Sequence, residues 1–144
     1  SMVMLGSNNY LGLTHNAEVQ QAAHDAITKY GTGCTGSRFL NGNSDLHEAL
    51  EERFAKFFKK DAALVMTTGF LTNYTSIGTL VEEGDFILSD SENHASIIAG
   101  CRNSTAKTIV FNHNDMKDLE TKLSDLPSAA VKLIIVDGVF SMTG

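Results

Sequence analysis

Short apolar runs alternate with amphipathic stretches from residue 62 to the end of the 144-residue chain. Each apolar run has the length of a buried strand, and the stretches between them repeat apolar residues at helical spacing. The predicted strands are residues 62–66, 85–90, 107–111 and 131–136. This alternation predicts an α/β fold with a mostly parallel sheet flanked by helices. The last run is continuously apolar, which predicts a strand buried on both faces of the sheet.

The beginning of the chain has a different pattern, with two amphipathic stretches separated by glycine-rich sequence. One helix is predicted to begin at Asn16 and to be stopped by Gly31, which suits a C-cap. Ser44 or the residue after it is predicted to cap a second helix that ends near residue 58. We therefore expect one region of helices and loop at residues 1–60 and a second region at residues 61–144.

Residues 31–38, GTGCTGSR, form the most glycine-rich part of the chain. They lack both the Gly-Lys-Ser/Thr ending and the preceding strand of a nucleotide P-loop, so an ATP cradle is not expected. A tight turn that lets backbone approach a ligand or partner is the better interpretation. Arg38 either binds a carboxylate or holds the turn, and spacing alone leaves both open. His47, early in the second helix, is expected to make a polar contact or to face solvent.

Residues 67–73, TTGFLTN, join the first predicted strand to an amphipathic run. A glycine at such a junction leaves the first helical N–H groups open, and these favour an anion such as a phosphate. The alternative is an ordinary connection in which Thr68 caps the helix. Polar residues also follow two later strands, at 92–94 and 140–141. Because ligands gather at the carboxyl ends of parallel strands, we expect one crevice with an anion seat, a histidine and a serine.

Composition limits the classes of function that are plausible for this chain. The formal net charge of -6 argues against nucleic acid as a main partner. The two cysteines form no CxxC pair and have no matching histidine cluster, so we expect no metal site, no disulfide framework and a reducing cytoplasm. We expect no transmembrane segment and no signal peptide, because no apolar run approaches the length of a membrane span.

Four short motifs occur in one order along the chain: NNYLGL at 8–13, GTGCTGSR at 31–38, NHASII at 93–98 and DGVFSM at 137–142. Together they resemble the α-oxoamine synthases, which are pyridoxal 5'-phosphate (PLP) enzymes of fold type I. The resemblance covers essentially the whole chain and corresponds to the N-terminal part of the family's catalytic domain. It implies that residues 61–144 are the first part of a fold type I large domain, which binds the cofactor.

The resemblance implies roles for four residues in the predicted crevice. Gly69 and Phe70 would offer backbone N–H groups to the cofactor phosphate. His94 would be the catalytic-site histidine that stacks on the pyridine ring and helps to orient the substrate carboxylate, and Ser141 would bond the ring hydroxyl. The alternatives from the residues alone are that His94 simply caps its helix and that Ser141 is a turn hydroxyl.

Three further assignments follow from the same resemblance. Asn9, or else Asn8, would contact the substrate near the mouth of the crevice. The loop at 33–38 would lie near the interface of a homodimer. Asp137 could be mistaken for the partner of the pyridinium nitrogen, but the family takes that aspartate from a later segment. We therefore expect Asp137 to be structural.

The resemblance also implies the reaction, which condenses a small amino acid of serine or glycine type with an acyl-CoA and generally releases carbon dioxide. The family's Schiff-base lysine lies in a later segment, and no lysine here matches its motif. We therefore expect the 144-residue chain to be inactive by itself. A noncatalytic regulatory or binding relative is one alternative. A nucleotide-binding domain is another, which the missing P-loop and Gly-x-Gly-x-x-Gly motifs disfavour.

Overall fold

The computed structural model describes residues 3–144 and shows two compact units. The first ends at Val65 and the second begins at Met66. The first unit contains a 3₁₀ helix at Leu13–His15, α1 at Ala17–Tyr30 and α2 at Asp45–Phe58. The second contains α3 at Gly69–Leu80, β1 at Phe86–Asp90, α4 at Ala95–Asn103, β2 at Lys107–Phe111, α5 at Met116–Ser124 and β3 at Lys132–Ile135. The α/β class is confirmed.

The helix ends of the first unit carry the predicted capping residues. Asn16 Oδ1 accepts a hydrogen bond from the Val19 N–H at 3.1 Å, which satisfies one of the open donors of α1. Gly31 ends the same helix with φ at 82°, a value that glycine adopts without steric cost. Ser44 precedes α2, and its N–H donates to His47 Nδ1 at 3.1 Å. His47 therefore makes the kind of polar contact that was expected.

Arg38 holds the glycine-rich loop against the rest of the first unit. Its Nη1 donates to Glu51 Oε1 and to the Val65 carbonyl, each at 2.6 Å. Its Nε donates to Asn43 Oδ1 at 2.8 Å. The structure shows both roles that the spacing left open, since this guanidinium binds the Glu51 carboxylate and fixes the turn.

The strand predicted at residues 62–66 is not formed, and that prediction was wrong. The segment has no assigned secondary structure, and the sheet within residues 3–144 contains only β1, β2 and β3. The Val65 N–H donates to Glu51 Oε1 at 2.8 Å, and its carbonyl accepts from Arg38. Side chains of the first unit, and not a neighbouring strand, therefore satisfy both backbone groups of Val65.

The sheet has the order β2-β1-β3, and both pairings are parallel. Ile87 lies opposite Thr108 on one side and Leu133 on the other. The central strand is consequently the best buried, with Ile87 and Leu88 fully inaccessible. The prediction of a mostly parallel sheet is confirmed, and the carboxyl ends of all three strands meet at one edge.

Helices α3 and α4 pack on each other over the core of the second unit. The buried cluster contains Ile77, Val81, Ile87, Ile97, Cys101 and Ala106. Gly100 lies where the two helices approach most closely. A Cβ at Gly100 would stand 2.8 Å from the Asn73 carbonyl oxygen and 2.9 Å from Ile77 Cδ1. The absent side chain is what allows this contact between the helices.

Strand β3 is less buried than its continuously apolar sequence predicted. Val131, Ile134 and Val136 are 56%, 46% and 52% exposed. Leu133 and Ile135, on one face of β3, pack against the core cluster, whereas Ile134 points to the other face. The prediction of burial on both faces was wrong, because only one face of β3 packs against the described core.

Two further observations concern the thiols and the bilayer. Cys34 and Cys101 are both free; the first is exposed and the second is buried. Burial raises the pKa of the Cys101 thiol. Across residues 3–144, no helix is both long and apolar enough to cross a membrane.

Replacing Ile87 by alanine should remove a fully buried side chain from the central strand. We expect Ile87→Ala to lower the free energy of unfolding by ~2–5 kcal/mol, because the loss of buried methyl groups leaves a cavity. Denaturant unfolding followed by circular dichroism measures this change. Ile134→Ala is the matched control, and its half-exposed position should cost less than ~1 kcal/mol. Equal losses for both variants would contradict this account of the core.

The first unit should lose stability at acidic pH through Glu51. The Arg38 hydrogen bond, assisted by the Val65 N–H, lowers the pKa of Glu51 to about 2 in the folded chain. The unfolded chain takes up this proton at higher pH, so the stabilisation is complete above about pH 4.5 and is lost as pH falls towards 2. Unfolding midpoints of Glu51→Gln should therefore depend less on pH in this window than those of wild type. If the unfolding midpoints of the two proteins changed equally with pH, this role of Glu51 would be contradicted.

Candidate functional site

The start of α3 has the open donors that the sequence predicted. Thr68 Oγ1 caps the helix by accepting from the Leu71 N–H at 3.1 Å. Within residues 3–144, the N–H groups of Gly69 and Phe70 have no protein acceptor. The first turn contains no acidic side chain. Thr68 therefore caps the helix, as one interpretation predicted, and two N–H groups remain open; that they bind a phosphate stays a prediction.

His94 occupies the N-cap of α4, and Ser96 holds its ring. Nδ1 accepts from the Ser96 N–H at 3.1 Å and lies 2.7 Å from Ser96 Oγ. Because an accepting Nδ1 carries no proton, the neutral ring has its proton on Nε2. His94 is exposed, and Nε2 has no protein partner in the described part of the chain. The ring does cap the helix, yet it still presents a free N–H donor.

A buried hydroxyl joins this histidine to α3. Ser96 is 1% exposed, and its Oγ accepts from Asn73 Nδ2 at 2.9 Å. That hydroxyl then has its own hydrogen available for His94 Nδ1. The hydrogen bonds from Asn73 through Ser96 to His94 thus connect α3, whose first turn has the open N–H groups, to the histidine. Sequence reasoning missed both partners, although a serine inside the otherwise apolar run ASII was a usable signal.

Asn93 and Asp137 fix the backbone that carries His94. Asn93 is 4% exposed, and its Nδ2 donates to the Ile135 carbonyl at 2.8 Å and to Ser89 Oγ at 2.9 Å. Its Oδ1 accepts from the Asp137 N–H at 3.0 Å. Asp137 Oδ2 in turn accepts from the His94 N–H at 2.7 Å. Asp137 therefore has a structural role here, as expected.

Ser141 lies in a turn after β3 that we call the Ser141 turn, residues 140–144. Two backbone bonds between Phe140 and Gly144, of 3.2 and 2.9 Å, close it. The Ser141 hydroxyl is exposed and has no protein partner within residues 3–144. Thr143 Oγ1 donates to Glu92 Oε2 at 3.1 Å. This bond connects the turn to the loop that precedes His94.

Asn9 lies in the first unit. Its N–H donates to Ser7 Oγ at 3.0 Å, and its side chain is exposed. Its substrate role stays a prediction.

A surface cleft of about 530 Å³ lies between α3 and α4, and it does not include Gly69, His94 or Ser141. That cleft is lined by Tyr74, Ala95, Ile98, Ala99, Arg102 and Asn103.

Sequence reasoning also missed a hydrogen bond between a carboxylate and a histidine at the end of the central strand. Asp90 is 3% exposed and lies 2.9 Å, through Oδ1, from His113 Nδ1. His113 contacts Phe140 edge-on, with ring centroids 4.4 Å apart. No local pattern could have indicated this pair, because the two residues are 23 positions apart. The sheet brings them together.

The family model for aminotransferases of class I and II matches residues 1–144. A serine palmitoyltransferase from Sphingobacterium spiritivorum is 51% identical over 143 residues, which are 99% of this chain and 36% of that protein. An 8-amino-7-oxononanoate synthase from Lysinibacillus sphaericus is 50% identical over 142 residues, with the same two coverages. The match thus spans about a third of the length of these relatives.

Solved structures give the same result for the fold. A serine palmitoyltransferase from Sphingomonas wittichii superposes with a TM-score of 0.96 and 40% identity, covering 99% of this chain and 36% of that one. A serine palmitoyltransferase variant from S. paucimobilis with a bound PLP–myriocin adduct superposes with a TM-score of 0.94 and 37% identity. There the coverage is 97% of this chain and 35% of the other. These matches confirm the N-terminal part of a fold type I PLP enzyme.

Asn93→Ala should destabilise the second unit. The substitution leaves the Ile135 carbonyl, the Ser89 hydroxyl and the Asp137 N–H without their partner, and we expect a loss of at least ~2 kcal/mol. Denaturant unfolding measures it. Asn112→Ala is the matched control, because Asn112 is an exposed asparagine and its loss should change stability by less than ~0.5 kcal/mol. A comparable effect of both substitutions would refute the assigned role of Asn93.

Proposed function

This chain belongs to the aminotransferase class I and II family, and on that premise we propose that it forms part of the active centre of a PLP-dependent C-acyltransferase. The proposed reaction condenses a small amino acid of serine or glycine type with an acyl-CoA. It generally releases carbon dioxide and gives an α-amino ketone. Near-equal identity to a serine palmitoyltransferase and an 8-amino-7-oxononanoate synthase supports the reaction class and favours no single amino acid.

The observation that carries the proposal is the pairing of an open helix start with an outward-facing imidazole. Gly69 and Phe70 present two open N–H groups at the positive end of α3, a 12-residue helix. No acidic side chain in the first turn opposes an anion. A Cβ at Gly69 would meet nothing within 4 Å, so a phosphate can approach the backbone directly. These residues fit the phosphate of PLP.

His94 fits the remaining requirements of the site. Its Nδ1 is occupied by Ser96, so the Nε2–H is the group that is left to donate to a substrate carboxylate. The ring is fixed by two bonds on one edge, which leaves its exposed part available for contact with a flat pyridine ring. We propose that His94 both supports the cofactor ring and orients the amino acid.

Two further residues have proposed roles, one in each unit. Ser141 has a free exposed hydroxyl, which suits a bond to the hydroxyl of the cofactor ring. Asn9 offers an exposed amide, which suits a polar group of the substrate. When bound, PLP supplies an electron sink for the negative charge that develops at the α-carbon of the amino acid. The residues of this chain hold the group and orient the substrate.

We also propose that the 144-residue chain does not turn over substrate by itself. No lysine of this chain matches the motif of the family's Schiff-base lysine, the group that would hold the cofactor aldehyde. A noncatalytic binding relative of the fold is the second candidate function, and the exposed imidazole of His94 argues against it. Product formation from serine or glycine with an acyl-CoA and added PLP would exclude both the proposed inactivity of this chain and the noncatalytic relative.

Two wider proposals concern assembly and location. Phe39, Phe57 and Phe58 are 95%, 78% and 60% exposed in the first unit, which supports a homodimer that covers apolar side chains. The free thiols of Cys34 and Cys101 are compatible with a reducing cytoplasm.

Gly69→Pro tests the anion seat directly. Proline removes the N–H at the first helical position but is tolerated there, and the extended Thr68 before it is compatible with a following proline. We expect the dissociation constant of pyridoxamine 5'-phosphate, followed by fluorescence titration, to rise about tenfold. This probe carries the phosphate and the ring but has no aldehyde that could react with other amines.

Gly69→Ala is the matched control for this experiment. It keeps the N–H, and its methyl group would point into open space, so binding should stay within about twofold of wild type. Equal weakening by both substitutions would show that the N–H group is not a ligand. A wild-type chain that fails to bind the probe would overturn the proposed site.

A further inference from the structure

The buried carboxylate of Asp90 organises the edge of the sheet where β1 ends. One oxygen accepts from the Glu92 N–H at 2.8 Å and from His113 Nδ1 at 2.9 Å. The other accepts from the Asn114 N–H at 3.2 Å. Burial acts to raise the pKa of Asp90, but these hydrogen bonds outweigh it and the pKa is lowered. Asp90 is thus an ionised acceptor that fixes the loops after β1 and β2.

This arrangement determines the hydrogen-bonding state of His113. Because ionised Asp90 can only accept, His113 Nδ1 carries a proton. On the opposite edge of the ring, Nε2 lies 3.2 Å from Asn114 Nδ2, 3.4 Å from Thr143 Oγ1 and 3.7 Å from Glu92 Oε2. His113 therefore has one edge on the central strand and the opposite edge on the Ser141 turn.

The Ser141 turn contacts this histidine at both of its ends. Phe140 is 8% exposed and meets the His113 ring at an interplanar angle of 74°, an edge-to-face arrangement. Thr143, near the other end, lies between His113 Nε2 and Glu92 Oε2. Ser141 itself has no protein partner within residues 3–144, so its place depends on the turn that carries it.

We propose that His113 is a positioning residue that fixes the Ser141 turn to the end of β1. It acts through Phe140 and Thr143, and it keeps the Ser141 hydroxyl at one place in the site. The consequence for the cofactor rests on the proposed function, whereas the structural contact does not.

Hydrogen exchange tests the structural part with His113→Asn. The asparagine amide can still donate to Asp90, so the buried carboxylate keeps a partner, but the ring and Nε2 are lost. We expect exchange at residues 139–144 to be roughly tenfold faster, while β1 and α4 keep wild-type protection. His24→Asn, at an exposed histidine of α1, is the matched control and should change nothing in this segment. Unchanged exchange at 139–144, or faster exchange throughout the second unit, would overturn the proposal.

A double-mutant cycle tests whether His113 acts through Ser141. We expect His113→Asn to weaken pyridoxamine 5'-phosphate binding roughly fivefold in wild type and to have no further effect in Ser141→Ala, because coupled positions are not additive. Equal weakening in both backgrounds would contradict action through Ser141. A wild-type chain that does not bind the probe would refute the proposed function. The exchange experiment would still decide whether His113 holds the turn.

Discussion

The site depends on the hydrogen bonds made by the side-chain amide of Asn93. It bonds to the end of β3 and to β1, and it accepts from the backbone of Asp137, which itself holds the His94 N–H. A parallel sheet brings strand ends to one edge but does not fix the loops that follow them. One buried amide supplies that link here, and it makes the position of the imidazole a consequence of strand pairing.

Much of this architecture follows from local pattern. The bounds of α1, α2 and β2 were predictable because capping residues and the spacing of apolar side chains are local properties. The predictions that were wrong depended on contacts between residues that are distant in the sequence. The segment at 62–66 has the composition of a strand, but Glu51 and Arg38 take the backbone bonds of Val65. The exposure of Ile134 in β3 depends on what packs over each face of the sheet, and a continuously apolar sequence carries no information about that.

The candidate site likewise has residues that the sequence pattern indicated and residues that it could not indicate. Gly69, His94 and Ser141 stood out because each follows an apolar segment at a point where chemistry is expected. Their roles toward a cofactor came from resemblance, and the structure supplies the hydrogen-bonding state that such roles require. Ser96 and Asn73 could not be predicted because they are 23 positions apart and meet only when α4 packs on α3. The same separation hid Asp90 and His113.

Gly100 limits the substitutions that this protein can accept. Every side chain larger than hydrogen would meet the backbone of α3, so no other residue fits at this position without a shift of the helices. The loops of the first unit contain a second such position, because a Cβ at Gly42 would collide with the Gly36 carbonyl, whereas a Cβ at Gly33 would meet nothing within 4 Å. A mutational library should therefore leave Gly100 and Gly42 unchanged and can vary positions such as Gly33. The helix crossing limits sequence space even though it lies away from the chemistry.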